Sequence, residues 1–168
     1  MLRRRLYRSQ LIPRRPEEVL PFFEAAENLV KVTPNWLGFQ ILSAPEPPLE
    51  RGSRITYRLR LFGLPLRWHT EIVRIDPPWG FVDVQRRGPY AEWVHTHSFR
   101  PLSGGDPSGR ATGGLQEARA VLMEDRVDYR LPFGPLGLLA APLVALQLTA
   151  IFGFRKRCIE KLFSVAKR

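Results

Sequence analysis

Ile55-Thr56-Tyr57-Arg58-Leu59-Arg60-Leu61, followed by Gly63-Leu64-Pro65 and then Leu66-Arg67-Trp68-His69-Thr70-Glu71-Ile72, is the stretch that decides the fold. Ile55, Tyr57, Leu59 and Leu61 alternate with Thr56, Arg58 and Arg60; Leu66, Trp68, Thr70 and Ile72 alternate with Arg67, His69 and Glu71. A period of two sends successive side chains to opposite sides of a strand, so each half has one dry face and one wet face. Gly63-Leu64-Pro65 supplies turn chemistry between them, and the two halves read as an antiparallel hairpin.

The same reading extends in both directions. Upstream, residues 2–12 can form a strand despite the Arg3-Arg4-Arg5 run, since Leu6 and Tyr7 give it at least one face able to pack. Pro16 suits a first helical turn, Glu17 and Glu18 suit the positive end of the helix dipole, and Val19, Leu20, Phe22 and Phe23 make a buried stripe. A second short helix over Ala26 to Val32 ends at Thr33-Pro34, after which Leu37, Phe39 and Ile41 alternate. Downstream of the hairpin, strands are expected over Phe81 to Arg87, Trp93 to Phe99 and Val121 to Tyr129, with a turn at Gly88-Pro89 and a glycine-rich loop over 103–114 that is a candidate gate. Short connections between successive strands favour a sequential antiparallel sheet.

Residues 131–154 are nearly long and apolar enough to span a bilayer, but Pro132, Pro135 and Pro142 interrupt them and Gln147 and Thr149 are polar. From Pro142 onward, turning 100° per residue places Val144, Leu148, Ile151, Phe152, Ile159, Leu162 and Phe163 on one face, as in a helix that covers a sheet. Arg155 falls in the middle of that face. A buried guanidinium needs a partner, and strand parity offers Asp83 and Asp125; facing a cavity instead, its fork of donors suits an anionic ligand end.

The 168 residues suit one domain, 1–168, able to bury roughly 70% of the surface its unfolded form exposes. The single cysteine, Cys158, excludes an internal disulfide, and no export-signal pattern opens the chain, so a cytoplasmic location is expected. Net charge is +10, but arginines such as Arg58, Arg60, Arg67 and Arg74 are scattered rather than gathered. That argues against nucleic acid and leaves room for transient contact with an anionic membrane.

Ala26-Glu27-Asn28-Leu29, Thr33-Pro34-Asn35-Trp36-Leu37, Phe81-Val82-Asp83-Val84-Gln85, Gly88-Pro89-Tyr90, Trp93-Val94-His95-Thr96-His97-Ser98-Phe99 and Asp125-Arg126-Val127-Asp128-Tyr129-Arg130-Leu131-Pro132 occur in that order. Together with the element order they resemble the START and birch-pollen-allergen-like superfamily, in particular a bacterial polyketide cyclase/dehydrase-like branch. The resemblance implies an α+β helix-grip fold: a curved antiparallel sheet of about seven strands, two short helices after the first strand, and a long C-terminal helix. It also implies a cavity between sheet and helix, and hence a non-catalytic binder or carrier of a hydrophobic molecule such as a lipid, isoprenoid or polyketide. The protein is then a monomer or small homo-oligomer without a cofactor.

Strand and helix parity makes Tyr57, Leu59, Trp68, Phe81, Gln85, Trp93, His95, His97, Phe99, Met123, Tyr129, Leu148, Phe152 and Arg155 the candidate ligand-binding set. Counting outward from the Gly88-Pro89 turn pairs Phe81 with Phe99, Asp83 with His97 and Gln85 with His95. An inward Asp83 beside His95 and His97 then permits general acid/base work by a cyclase/dehydrase-type enzyme, because a carboxylate orients an imidazole and raises its basicity. Two histidines two apart on a strand plus a carboxylate also match a metal triad, although no metal is expected. The remaining reading is an internal hydrogen-bonded patch that orients a ligand's polar end.

Overall fold

The alternating stretches become strands of one antiparallel sheet wrapped around a long helix. The computed structural model describes residues 2–77, 80–103 and 118–164. In chain order they form β1 (Arg4–Ile12), α1 (Pro16–Phe23), 3-10 segments at Ala26–Val32 and Asn35–Leu37, β2 (Gln40–Ser43), β3 (Arg54–Leu61), β4 (Leu64–Asp76), β5 (Gly80–Arg87), β6 (Glu92–Ser103), β7 (Ala118–Arg130), α2 (Pro135–Leu139) and α3 (Ala141–Leu162). Most of the 103–114 stretch singled out as a candidate gate lies outside the described residues.

The sheet order is β1-β7-β6-β5-β4-β3-β2, so every neighbour but one is also the neighbour in sequence. In the β3–β4 hairpin Leu61 pairs with Leu64. Phe62 and Gly63 therefore form a two-residue turn, with φ of 52° and 80°, whose positive dihedrals match the twist of the flanking strands. The turn lies one residue earlier than Gly63-Leu64-Pro65, and Leu64 and Pro65 already belong to β4. Irregularities in the β4–β5 pairing fall between His69 and Thr70 and between Ile72 and Arg74. Extra residues on one strand bend it, and these bends help curve the sheet around α3.

Register between β5 and β6 differs from the count made outward from the turn. Phe81 pairs with His97 and Asp83 with His95, a shift of two residues that preserves which side chains face inward. The connection is wider than a minimal turn because Gln85 closes it from within: its side chain donates to Tyr90 O at 2.7 Å and accepts from Tyr90 N at 3.3 Å. At the start of β5, Gly80 has φ 152°, and a Cβ there would overlap His97 O. Only glycine lets β5 approach β6 this closely, and the next residue, Phe81, stacks on the His97 ring at 4.2 Å.

Helix α3 covers the concave face with Val144, Leu148, Phe152, Arg155 and Ile159, all buried. Their spacing of four, four, three and four residues is the stripe of an amphipathic helix. Leu162, expected on that stripe, is 48% exposed in the last turn, whereas Phe163 continues the contact by packing on Phe22 and Phe23. No described helix is long and apolar enough to cross a membrane. Leu139, Leu143 and Leu146, on the side of α2 and α3 away from the sheet, are exposed.

Candidate functional site

Between α3, the 3-10 segments and strands β3 to β6 lies a cavity of about 180 Å³. Its apolar half is a run of aromatic rings. Phe39 meets Tyr57 at 4.9 Å, Tyr57 stacks on Trp68 at 5.9 Å, and Trp68 meets Trp93 edge-on at 5.1 Å and Tyr90 at 5.6 Å. Edge-to-face and offset contacts of this kind suit the quadrupoles of the rings. Tyr57 keeps a polar contact through Thr70 Oγ1, 3.2 Å from its hydroxyl, and burial pushes that hydroxyl's pKa far upward. Trp68 Nε1 is a buried donor with no acceptor among the described residues.

The other half is charged. His95 and His97 alternate inward along β6 with ring centroids 3.8 Å apart, flanked by Asp83 from β5 and Asp125 from β7. Asp83 Oδ2 lies 3.0 Å from His97 Nε2 and 3.6 Å from His95 Nδ1. Asp125 Oδ1 lies 2.9 Å from His95 Nε2 and 3.1 Å from His97 Nδ1. The last of these contacts is electrostatic, because His97 Nδ1 is not aimed along a hydrogen bond. Arg155 reaches from α3 to give Nε to Asp125 Oδ2 at 3.2 Å, and its guanidinium sits 5.7 Å from the Phe23 ring centre.

This crowding separates the two imidazoles. Burial lowers the pKa of His95, the charge of His97 lowers it further, and contacts with Asp125 and Asp83 do not make up the difference. Burial opposes protonation of His97 too, but its contacts with Asp125 and Asp83 outweigh burial and hold its pKa above the ordinary value. Burial would raise the pKa of Asp125, yet the Arg155 charge and the two histidines hold its carboxyl well below the usual range. Of the two carboxylates, Asp83 lines the cavity and Asp125 lies behind the histidines.

Solved structures share the architecture that frames this site. Truncated norcoclaurine synthase from Thalictrum flavum superposes with a TM-score of 0.67 at 11% identity, over 99% of this chain and 96% of that one. A protein from Thermus thermophilus gives 0.64 at 17% identity, over 98% and 100%. The di-domain ARO/CYC BexL gives 0.63 at 18%, over 96% of this chain and 48% of that one. This is the helix-grip fold. No family model and no curated protein matches the sequence, so the likeness is one of architecture.

Within that helix-grip architecture, Tyr57, Leu59, Trp68, Phe81, Trp93, His95, His97, Leu148, Phe152 and Arg155 line the cavity, together with Asp83. Four expected residues do not. Gln85 is held in the β5–β6 connection by its bonds to Tyr90, Phe99 and Met123 pack beneath the site with Phe23 and Ile159, and Tyr129 packs behind Trp93 and Tyr90. Lining residues absent from the sequence-derived set include Phe22, Phe23, Leu29, Val32, Leu37 and Ile151. For Phe22 and Phe23 the signal was the stripe of α1; Leu29, Val32 and Leu37 lie on 3-10 turns with no repeating apolar pattern.

Proposed function

We propose that the protein binds a small hydrophobic molecule in the cavity between sheet and α3, with any polar end of the ligand toward Asp83, His95, His97 and Arg155. The observation that carries this reading is an aromatic-walled cavity with a polar end; Trp68, one of its lining residues, also holds a buried indole donor, Nε1, without an acceptor among the described residues. Such a donor costs free energy while no acceptor meets it. A volume of about 180 Å³ falls below the usual range of drug-sized pockets and near that of cavities that hold one aromatic ring. The size therefore favours a compact mono- or bicyclic molecule, or one arm of a larger one, over a diacyl lipid. Norcoclaurine synthase and the ARO/CYC BexL support ligand binding by analogy of fold. Exposed Leu139, Leu143 and Leu146 in a chain of net charge +10 support brief contact with an anionic membrane during loading.

Titration with the naphthyl fluorophore 1-anilinonaphthalene-8-sulfonate tests the cavity. Saturable one-to-one binding is expected, and Leu148→Trp, which fills the space, should abolish it while the circular dichroism spectrum is retained. Undiminished binding by that variant would place the site elsewhere. A second reading, proton transfer to or from a bound ligand, is favoured by one contact: His97 and Asp83 both face the cavity with Nε2 and Oδ2 at 3.0 Å. It requires His97→Gln to retain the fluorophore and lose turnover.

A further inference from the structure

We infer that Asp83, His95 and His97 form a binding site for one divalent transition-metal ion of the zinc, iron or cobalt class, with Asp125 orienting His95 from behind. The site opens on the cavity of the proposed function but does not depend on what the apolar half holds.

The geometry of the cluster is asymmetric in a way that favours a cation on one side. Asp83, His95 and His97 each offer one ligand atom within 4.8 Å of the others, and Asp83 Oδ2 lies 3.6 Å from His95 Nδ1 and 3.0 Å from His97 Nε2. Ligand atoms about 2.1 Å from a shared ion lie about 3.0 Å apart in octahedral and about 3.4 Å apart in tetrahedral positions. Both distances from Asp83 are close to that range. The opposite nitrogens, His95 Nε2 and His97 Nδ1, lie 2.9 and 3.1 Å from a single oxygen, Asp125 Oδ1. If His95 gives its Nε2 proton to Asp125, its Nδ1 lone pair is left toward Asp83; His97 also turns Nε2 to Asp83, while its Nδ1 meets Asp125 only electrostatically. Histidines that bind metals generally give their other N–H to a carboxylate in this way, and that carboxylate is itself held, here by Arg155 Nε at 3.2 Å.

Hydrogen bonding alone leaves part of the cluster unexplained. A separation of 3.6 Å is too long for His95 Nδ1 to bond to Asp83, and His97 Nδ1 is buried and off-axis to its nearest acceptor. An ion between Asp83 and the two rings bridges the 3.6 Å gap to His95 Nδ1 and replaces the proton that His97 Nε2 shares with Asp83, so binding releases a proton. Two carboxylates against one guanidinium favour a further positive charge between them, a proton or a metal cation. Two nitrogens and one oxygen suit zinc, iron(II) or cobalt(II) rather than calcium or magnesium, and three protein ligands leave positions open toward the cavity for water or a ligand oxygen. His69, the remaining histidine, contacts Thr56 at 3.1 Å and is outside this group.

Chelator-stripped full-length protein, dialysed against Zn²⁺ or Co²⁺ and analysed by elemental mass spectrometry, should retain one equivalent of either metal. Cobalt should add visible absorption bands and shift the ring-proton resonances of His95 and His97 but not those of His69. Asp83→Asn and His97→Gln should lose the stoichiometric metal, His69→Gln should keep it, and Asp125→Asn should weaken affinity 10- to 100-fold. Uptake below stoichiometry in the wild type, equal uptake by Asp83→Asn, or resonance shifts confined to His69 would overturn the assignment. The resonance readout needs no variant, so a substitution that fails to fold leaves the test intact. Fluorophore binding by the metal-free protein, measured in parallel, reports on the apolar half alone, so either reading can fail without the other.

Discussion

The two halves of the cavity are held in opposite ways. Around Tyr57, Trp68 and Trp93, rings touch at centroid distances from 4.8 to 5.9 Å without a charged partner, and the stabilisation is the non-directional one of buried apolar area. Around His95, His97, Asp83 and Asp125, direction is everything, because each imidazole lies between two carboxylates and one of those carboxylates is tied to Arg155. An apolar wall loses stability roughly in proportion to what is removed. A buried charge cluster loses most when one member goes, since the partner is left charged in a medium that solvates it poorly.

The sharpest way to break this contrast is Arg155→Met, which keeps the stem and removes the charge. It leaves Asp125 buried opposite two histidines without its guanidinium, and a loss of roughly 3 kcal/mol is expected in denaturant unfolding. If Asp125→Asn added to Arg155→Met recovers part of that loss, the penalty belongs to the stranded carboxylate rather than to lost packing. Gly80→Ala comes next. It disturbs the polar half from the backbone, and a cost of about 2 kcal/mol is expected from the positive φ and the clash with His97 O. Tyr57→Phe should have the smallest effect, within about 1 kcal/mol, because it removes one hydroxyl contact with Thr70 and leaves the ring stack in place. A larger loss from Tyr57→Phe than from Arg155→Met would reverse the assignment of which half depends on direction.

Which side chains face inward was legible from alternation, since parity survives a slip of two residues. That is why His95, His97, Asp83 and Trp93 were identified although the pairing of Phe81 with Phe99 is replaced by Phe81 with His97. Register itself was not legible, because it depends on how Gln85 closes the β5–β6 connection, a contact without periodicity. Arg155 could be placed from the helical wheel, and Asp125 was one of two partners named for it. Phe99, Met123 and Tyr129 show the limit of parity: facing inward does not distinguish lining a cavity from filling the space beneath it. Leu29, Val32 and Leu37 were missed because 3-10 turns carry no period long enough to read.

The placement of β1 beside β7 bears on how the chain comes off the ribosome. Leu6 pairs with Val127 and Arg8 with Asp125, so β1, once made, must wait until more than a hundred further residues have followed before its partner exists. Strands β3 to β6 pair with near neighbours and can close during synthesis, whereas closing β1 against β7 costs the entropy of a very long loop. Until then β1 exposes the edge groups it will later give to β7, and the arginines at positions 3, 4, 5 and 8 keep that waiting strand charged enough to discourage pairing with another copy.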